Sequence, residues 1–206
     1  MKALDSIHQN YVFDRRIRVL AGHLASMIPV GSTVLDVGCG DGTLARAIMA
    51  TGRSIDIVGV DVLVREHTSI PVTKFDGVTL PFGDASFETV MFVDVLHHTN
   101  HPMVLLKEAS RVARGSILIK DHDRSGFLAQ RTLKFMDDIG NARFGVSLPY
   151  KYLDRQEWKR AFDSLRLVVR EERRKLFLYP WPASMVFDRS LHFVACLEHE
   201  KPAGVR

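Results

Sequence analysis

The chain has 206 residues, a length that suits one domain with a substantial buried core. Its hydrophobic content of 46%, charged content of 25% and formal net charge of +4 are ordinary for a globular protein. Two cysteines are too few for a disulfide framework, and no segment approaches the ~20 apolar residues that span a bilayer. The first residues contain no apolar signal-peptide core, so these bounds predict a single cytoplasmic domain over residues 1–206.

The first predicted element is an amphipathic helix from Tyr11 to Ile28, which Pro29 and Gly31 end. A strand-length apolar run follows at Thr33–Val37, and it carries Asp36.

Next comes a turn with alternating glycines, after which apolar residues recur at helical spacing. Glycines let a backbone approach a ligand closely, and the helix N-terminus offers free N–H groups. Asp36 and Asp41 would repel a pyrophosphate, so the pattern favours a nucleotide-like ligand that carries a positive charge.

The stretch V-L-D-V-G-C-G-D-G resembles the first motif of the class I S-adenosylmethionine-dependent methyltransferases of the small single-domain type. The resemblance implies S-adenosylmethionine as cofactor and an α/β, Rossmann-like, doubly wound fold. Its seven-stranded sheet would have the order 3-2-1-4-5-7-6 with strand 7 antiparallel. A leading helical segment, residues 1–30, would cover the cofactor or acceptor, with Tyr11 contacting substrate. The first-motif residues expected at the cofactor are Asp36, Gly38, Cys39, Gly40 and Gly42.

The second and third predicted strands, residues 54–61 and 71–77, each end in acidic residues. An acid about 20 positions beyond the glycine turn can accept hydrogen bonds from both ribose hydroxyls, which assigns that role to Asp61, with Val62 beside it. By resemblance, Asp76 and Gly77 lie near the adenine.

The segment L-P-F-G-D-A-S-F-E matches the second signature of the family, and a fourth strand is predicted from Thr89 to Val95. Asp94 and Val95 at its end are expected at the cofactor. The family commonly carries L-x-H after this strand, which places His98 near the transferred methyl group.

The histidines His97, His98 and His101 raise the alternative of a metal site. Side chains that are adjacent in sequence are expected to diverge, and no carboxylate or thiolate follows at ligand spacing. The sequence therefore predicts no metal.

A fifth strand is predicted over residues 116–122, ending in Asp121 and His122. A histidine with a near-neutral pKa is a natural base for an oxygen or nitrogen acceptor. His122 is preferred over His98 because of its neighbour Asp121, and these three residues are the catalytic candidates. Both histidines could instead only shape the pocket.

Two insertions, residues 123–152 and 176–189, are expected over the acceptor site because they are long and aromatic. A helix capped by Asp154 and two antiparallel strands near residues 165–170 and 191–197 complete the sheet. Residues 107–175 carry a net charge of +7. This excess predicts either a solvated face or a face that meets an anionic acceptor. The expected substrate contacts in the insertions are Asn141, Tyr150, Tyr152 and Trp181.

The predicted function is S-adenosylmethionine-dependent methylation of oxygen, nitrogen or carbon in a small, partly apolar molecule, by a monomer or homodimer. A nicotinamide oxidoreductase is disfavoured because Thr43 breaks the dinucleotide fingerprint and no Tyr-x-x-x-Lys pair occurs. A non-catalytic partner subunit of the same fold remains an alternative, as does an enzyme acting on a nucleic acid or a carrier-bound anion. Nucleic acid is the less favoured acceptor because the motif used for flipped bases is absent.

Overall fold

The computed structural model describes residues 2–141 and 149–200, with side chains described over residues 12–138 and 149–200. The strands are β1 (Thr33–Val37), β2 (Asp56–Asp61), β3 (Val72–Lys74), β4 (Phe87–Val93), β5 (Ala113–His122), β6 (Leu167–Arg173) and β7 (His192–His199). The helices are α1 (Lys2–Met27), α2 (Thr43–Met49), α3 (Pro102–Val112), α4 (Ala129–Asn141), α5 (Arg155–Ser164) and α6 (Ser184–Phe187), with one 3₁₀ turn at Leu96–His98.

The strands form one sheet in the order β3-β2-β1-β4-β5-β7-β6, as predicted. The pairs from β3 through β5 are parallel, whereas β7 runs antiparallel to both β5 and β6. Carboxyl ends of parallel strands share one edge of a sheet, which is where open α/β folds bind ligands. Because β7 is antiparallel, it begins at that same edge.

Both faces of the sheet are covered by helices, which explains why its central strands are apolar almost throughout. On one face, Leu20 and Leu24 of α1 and Ile48 of α2 join a cluster with inward residues of the central strands. On the other face, α3 and α5 contribute Leu106 and Trp158 to a second cluster. The sheet is packed on both faces, and this packing positions the residues at its carboxyl edge.

Several predicted bounds were wrong by a few residues. Strand β4 ends at Val93 and not at Val95, because Asp94 has a left-handed φ of 56° that takes the chain out of the strand. Strand β5 begins three residues earlier than predicted, at Ala113, and α1 begins well before Tyr11. Residues 142–148 of the predicted ordered loop lie outside the described residues.

The predicted cap of α5 is confirmed. The Glu157 N–H donates to the Asp154 carboxylate, and the Asp154 N–H donates to the Glu157 carboxylate, which together form a capping box. This helix packs Trp158 under β5, where its indole N–H donates to the carbonyl of His122 at 2.9 Å.

The basic run at the end of β6 pairs with nearby acids. Arg173 contacts Glu171, and Arg174 contacts both Glu172 and Asp123. These local ion pairs favour the solvated-face interpretation of the run over an anion-binding one. Among the described helices, none is long and apolar enough to cross a membrane.

Candidate active site

The glycine turn between β1 and α2 has the backbone shape that a closely approaching ligand needs. Gly38, Gly40 and Gly42 have left-handed φ angles of 74°, 60° and 75°. A Cβ on Gly38 would lie 2.6 Å from a methyl carbon of Val95, and one on Gly42 would lie 2.5 Å from a side-chain carbon of Ile70. A side chain at either position would therefore collide with its neighbour, and it would also strain the backbone because φ is left-handed.

Asp61, at the end of β2, is fastened to this turn. Its Oδ2 accepts from the Gly40 N–H at 2.8 Å, and its Oδ1 accepts from the Leu63 N–H at 2.9 Å. Both oxygens keep a further lone pair, so the carboxylate can also accept bonds from vicinal hydroxyls. This geometry is compatible with the ribose role.

Asp36 lies beside it on β1 and is only 3% exposed. Burial, and then the nearby charge of Asp61, raise its pKa to about 7. Two carboxylates beside one glycine turn are well placed to share a cationic ligand group. Burial also raises the pKa of the Cys39 thiol, whose sulfur packs over Gly59 of β2.

Asp76 and Gly77 follow β3 at the same edge. The N–H groups of Thr79 and Val78 both donate to Oδ1 of Asp76 and lower its pKa. Gly77 has a φ of 82°, and a Cβ there would lie 3.1 Å from Val62, whose side chain is otherwise half exposed. The turn at Asp76 and Gly77 and the segment at Val62 thus lie together, partly exposed, at the sheet edge that carries the glycine turn.

On the other side, Val95 links the glycine turn to a group of polar side chains at the ends of β4, β5 and β7. We call this group the histidine cluster. Its members are Asp94, His97, His98, Lys120, Asp121, His122, Asp137 and His192.

Asp94 is the anionic end of the cluster on the side of α1. Arg16 and Lys120 contact its two carboxylate oxygens. Burial disfavours the charge on Asp94, but the two cations outweigh burial and hold its pKa well below the usual range. Its predicted cofactor role remains a prediction, while its observed partners belong to the cluster and to the covering helix.

The Asp121 carboxylate pairs with the ring of His97 and not with the ring of His122. The Asp121 carboxylate accepts from His97 Nδ1 at 2.7 Å, and it meets His122 through the backbone N–H, also at 2.7 Å. Neighbouring side chains on a strand point to opposite faces, so the ring of His122 is directed away. Burial would lower the pKa of His97, but Asp121 and Asp137 raise it to about 10. His97 is thus charged, and the sequence analysis missed its pairing.

The ring of His122 is held in place by β7. The antiparallel register places His192 directly opposite it, with 3.0 Å between the two Nδ1 atoms, so one ring donates to the other. Lys120 lies 3.3 Å from the same His192 Nδ1. This pairing leaves Nε2 of His122 directed at the carboxylates of Asp94 and Asp137.

The environment of His122 Nε2 suits a proton acceptor. Burial, followed by the charges of His97 and Lys120, lowers its pKa and keeps the ring neutral. Oxygens of Asp94 and Asp137 lie 3.6 and 3.7 Å from Nε2. These carboxylates would stabilise the imidazolium formed when the ring takes a proton.

His98 and two tyrosines complete this side of the edge. His98 is half buried, and burial, followed by the charge of His97, lowers its pKa to about 4. Tyr152 is buried, stacks on His97 with ring centroids 5.4 Å apart and donates its hydroxyl to Asp137. Tyr150 donates to Asp138. Of these two tyrosines, Tyr150 is the more open to a ligand.

The other predicted substrate residues are less constrained by the geometry. Trp181 is 80% exposed, in the segment before α6. Tyr11 lies in α1 and Asn141 ends α4, but their side chains are outside the described ones. Their substrate roles remain predictions.

Several cluster members were missed because they come from distant parts of the chain. His192 and Asp137 lie 70 and 15 residues from His122, and Arg16 reaches Asp94 from the first helix. The sequence does carry one signal for them: Lys120 directly follows the apolar run 117–119 of β5, and His192 directly precedes the apolar run 193–197 of β7. Buried charged groups of that kind are rare unless paired.

The sheet order and the glycine turn with Asp61 define the class I S-adenosylmethionine-dependent methyltransferase fold. Residues 7–172 match the family model described as methyltransferase domain. The chain belongs to that family, and S-adenosylmethionine is the cofactor of the class.

Three known proteins illustrate the relationship. The chain is 27% identical over 131 residues to the 27-O-demethylrifamycin SV methyltransferase of Amycolatopsis mediterranei, covering 53% of this chain and 48% of the relative. It is 37% identical over 103 residues to the 2-methyl-6-phytyl-1,4-hydroquinone methyltransferase of Synechocystis sp., covering 45% of this chain and 32% of the relative. The chain thus spans half or less of these relatives.

The third is a solved structure, geranyl diphosphate methyltransferase in complex with S-adenosylmethionine. It superposes with a TM-score of 0.62 at 16% identity, covering 89% of this chain and 85% of that one. This likeness concerns the fold.

The residues present fit the cofactor of the class. The turn holds three glycines at left-handed φ angles, and Asp61, bonded to the Gly40 N–H, offers paired acceptors beside it. The buried Asp36 carboxylate next to Asp61 is suited to an ammonium group. These residues would hold the nucleoside and the amino-acid end.

The raised pKa of Asp36 predicts a pH-dependent affinity. An acid with a raised pKa contributes its stability in the protonated form, so the free protein loses that contribution as the pH rises through about 7. An ammonium ligand prefers the ionised form. We expect the affinity for S-adenosylmethionine to weaken as the pH falls below 7, by up to about tenfold per pH unit.

Calorimetry between pH 5.5 and 7.5 on the parent and on Asp36→Asn measures this. The variant should bind more weakly at pH 7.5 and lack the additional slope, and the difference between the two profiles removes the titration of the ligand itself. Parallel profiles would contradict the assignment of Asp36.

Proposed function

We propose that the protein is an enzyme that transfers a methyl group from S-adenosylmethionine to an oxygen, nitrogen or carbon of a small, partly apolar molecule. The observation that carries the proposal is the buried, neutral His122, whose Nε2 lies 3.6 and 3.7 Å from oxygens of Asp94 and Asp137, in a cluster that adjoins the glycine turn through Val95. A binding module of this fold would have no need of a buried, oriented base.

The cofactor, when bound, supplies an electrophilic methyl group. The chain holds it with the glycine turn, Asp36 and Asp61, and His122 Nε2 accepts a proton from the acceptor. Asp94 and Asp137 stabilise the resulting imidazolium. Asp121 is a positioning residue, since it acts by fixing His97.

Two features support a small acceptor with an apolar part. Four of the five candidate contact residues are aromatic, and one of them, Trp181, is 80% exposed. The relatives named above act, by their names, on a rifamycin and on a phytyl hydroquinone, which combine ring or chain hydrocarbon with hydroxyl groups. We therefore place hydroxylated aromatic molecules first among the acceptors. We also propose that the protein acts in the cytoplasm as a monomer or homodimer.

Calorimetric titration with S-adenosylmethionine, S-adenosylhomocysteine and NAD(H), side by side, tests the proposal. We expect micromolar binding of the first two and none of NAD(H). An acceptor screen with labelled S-adenosylmethionine follows, beginning with phenols and hydroquinones. Binding of NAD(H) alone would overturn the reading of the glycine turn, and binding of none would favour the partner-subunit alternative.

A further inference from the structure

One corner of the histidine cluster has the composition of a metal site. A ring nitrogen of His97, a ring nitrogen of His98 and a carboxylate oxygen of Asp137 all lie within 4.8 Å of one another. His97 Nε2 and Asp137 Oδ2 are 3.4 Å apart. Ligands bound tetrahedrally at roughly 2.0–2.1 Å from a metal are themselves about 3.3 Å apart, so this spacing needs little adjustment.

The two histidines converge although they are adjacent in sequence. Their ring centroids are 4.0 Å apart on the 3₁₀ turn, so the expectation that these side chains diverge is wrong. The missing carboxylate comes from α4, where no sequence spacing could indicate it.

An independent observation is that two ring nitrogens in this corner lack hydrogen-bond partners. His97 Nε2 and His98 Nδ1 are both buried and make no hydrogen bond, and His97 as a whole is 1% exposed. His97 Nε2 instead forms an ion pair with Asp137 Oδ2 at 3.4 Å. Leaving a buried polar atom without a hydrogen bond costs about 1–3 kcal/mol, so such atoms usually have a bound ion or water. A cation shared with the Asp137 carboxylate would satisfy both nitrogens.

The surroundings of His97 also match a metal ligand. Asp121 accepts from Nδ1–H at 2.7 Å, which fixes the ring. Nε2 would then bind a metal ion in place of the proton that the charged ring carries in the metal-free chain, with release of that proton. Metal-binding histidines almost always have such an outer partner.

We propose that His97, His98 and Asp137 bind a divalent first-row transition metal ion, with two imidazoles and one carboxylate as ligands. The alternative trio of Asp94, His97 and His122 also lies within 4.8 Å. It is the poorer site, because Arg16 and Lys120 occupy the oxygens of Asp94 and would repel a cation. The ion would join α4 to the 3₁₀ turn that follows β4.

Metal titration of the full chain after chelator treatment tests the proposal. We expect one Zn²⁺ per chain by calorimetry, and Co²⁺ absorption bands of a nitrogen and oxygen site that Zn²⁺ abolishes. His98→Gln and Asp137→Asn should remove the stoichiometric binding. His101→Gln, an exposed histidine three residues away, is the matched control and should bind like the parent.

Asp121→Asn should weaken binding about 10- to 100-fold by loosening His97. Circular dichroism and thermal unfolding of each variant identify folding failures. Of these variants, His98→Gln is expected to disturb folding least, because His98 is only half buried. Failure of the parent to bind, or equal affinity in the parent and a folded His98→Gln variant, would overturn the proposal. A proton or a water would then be the partner of these nitrogens. The readout needs neither cofactor nor acceptor, so its failure would leave the proposed function standing.

Discussion

Replacing Asp61 with alanine should weaken the binding of S-adenosylmethionine at least about 100-fold while leaving the fold intact. The variant would lose the hydrogen bonds from two ribose hydroxyls to the carboxylate, and hydrogen bonds to a charged group contribute about 1.5–3 kcal/mol each. The variant would also lose the 2.8 Å hydrogen bond from the Gly40 N–H, which fixes the shape of the turn. Calorimetric titration of the purified variant measures the effect.

Asp56→Ala is the matched control, because Asp56 is an exposed acid at the other end of the same strand. It should bind the cofactor like the parent. Asp61→Asn keeps the size of the side chain but places an amide donor against N–H groups, so it should also bind poorly. Unchanged affinity in Asp61→Ala would remove the ribose assignment.

The second large effect is expected on turnover. Once an acceptor is found, His122→Ala should lower kcat about 10²- to 10⁴-fold, the usual contribution of a general base, with unchanged affinity for S-adenosylmethionine. The reason is the loss of the imidazole whose Nε2 lies between Asp94 and Asp137. His98→Ala should also lose turnover, because His98 lies at the same edge and contacts the His97 ring.

His101→Ala serves as the control with full turnover, and cofactor titration of each variant separates a catalytic loss from a collapsed site. Full activity in both His122→Ala and His98→Ala would mean that neither of the two proposed histidines acts as the base. Loss of cofactor binding in His122→Ala would instead point to a structural role.

The cofactor half of the site could be predicted from the sequence because it is local. The turn at Gly38–Gly42 lies within a few residues of β1, and Asp61 follows at a spacing that one crossover helix determines. The sheet order followed from the family resemblance, and the structure confirms it.

The acceptor half could not be predicted, because its contacts depend on register and on long-range packing. His192 faces His122 only because β7 pairs with β5 in one particular alignment, and a shift by one residue would direct it to the other face. The place of Asp137 depends on where α4 docks. The contact between Asp121 and the His97 ring could not be predicted from the sequence for a similar reason, because side chains next to each other along a strand point to opposite faces.

The antiparallel position of β7 has a consequence for biosynthesis. Ribosomes deliver β5 and β6 before the strand that lies between them, so a nascent chain that ends before residue 192 has two unpaired strand edges. Such a chain already contains the glycine turn and Asp61, yet it lacks the strand that closes the sheet and the partner of His122. Because unpaired strand edges pair with other chains, we expect a chain that ends there to aggregate through those edges.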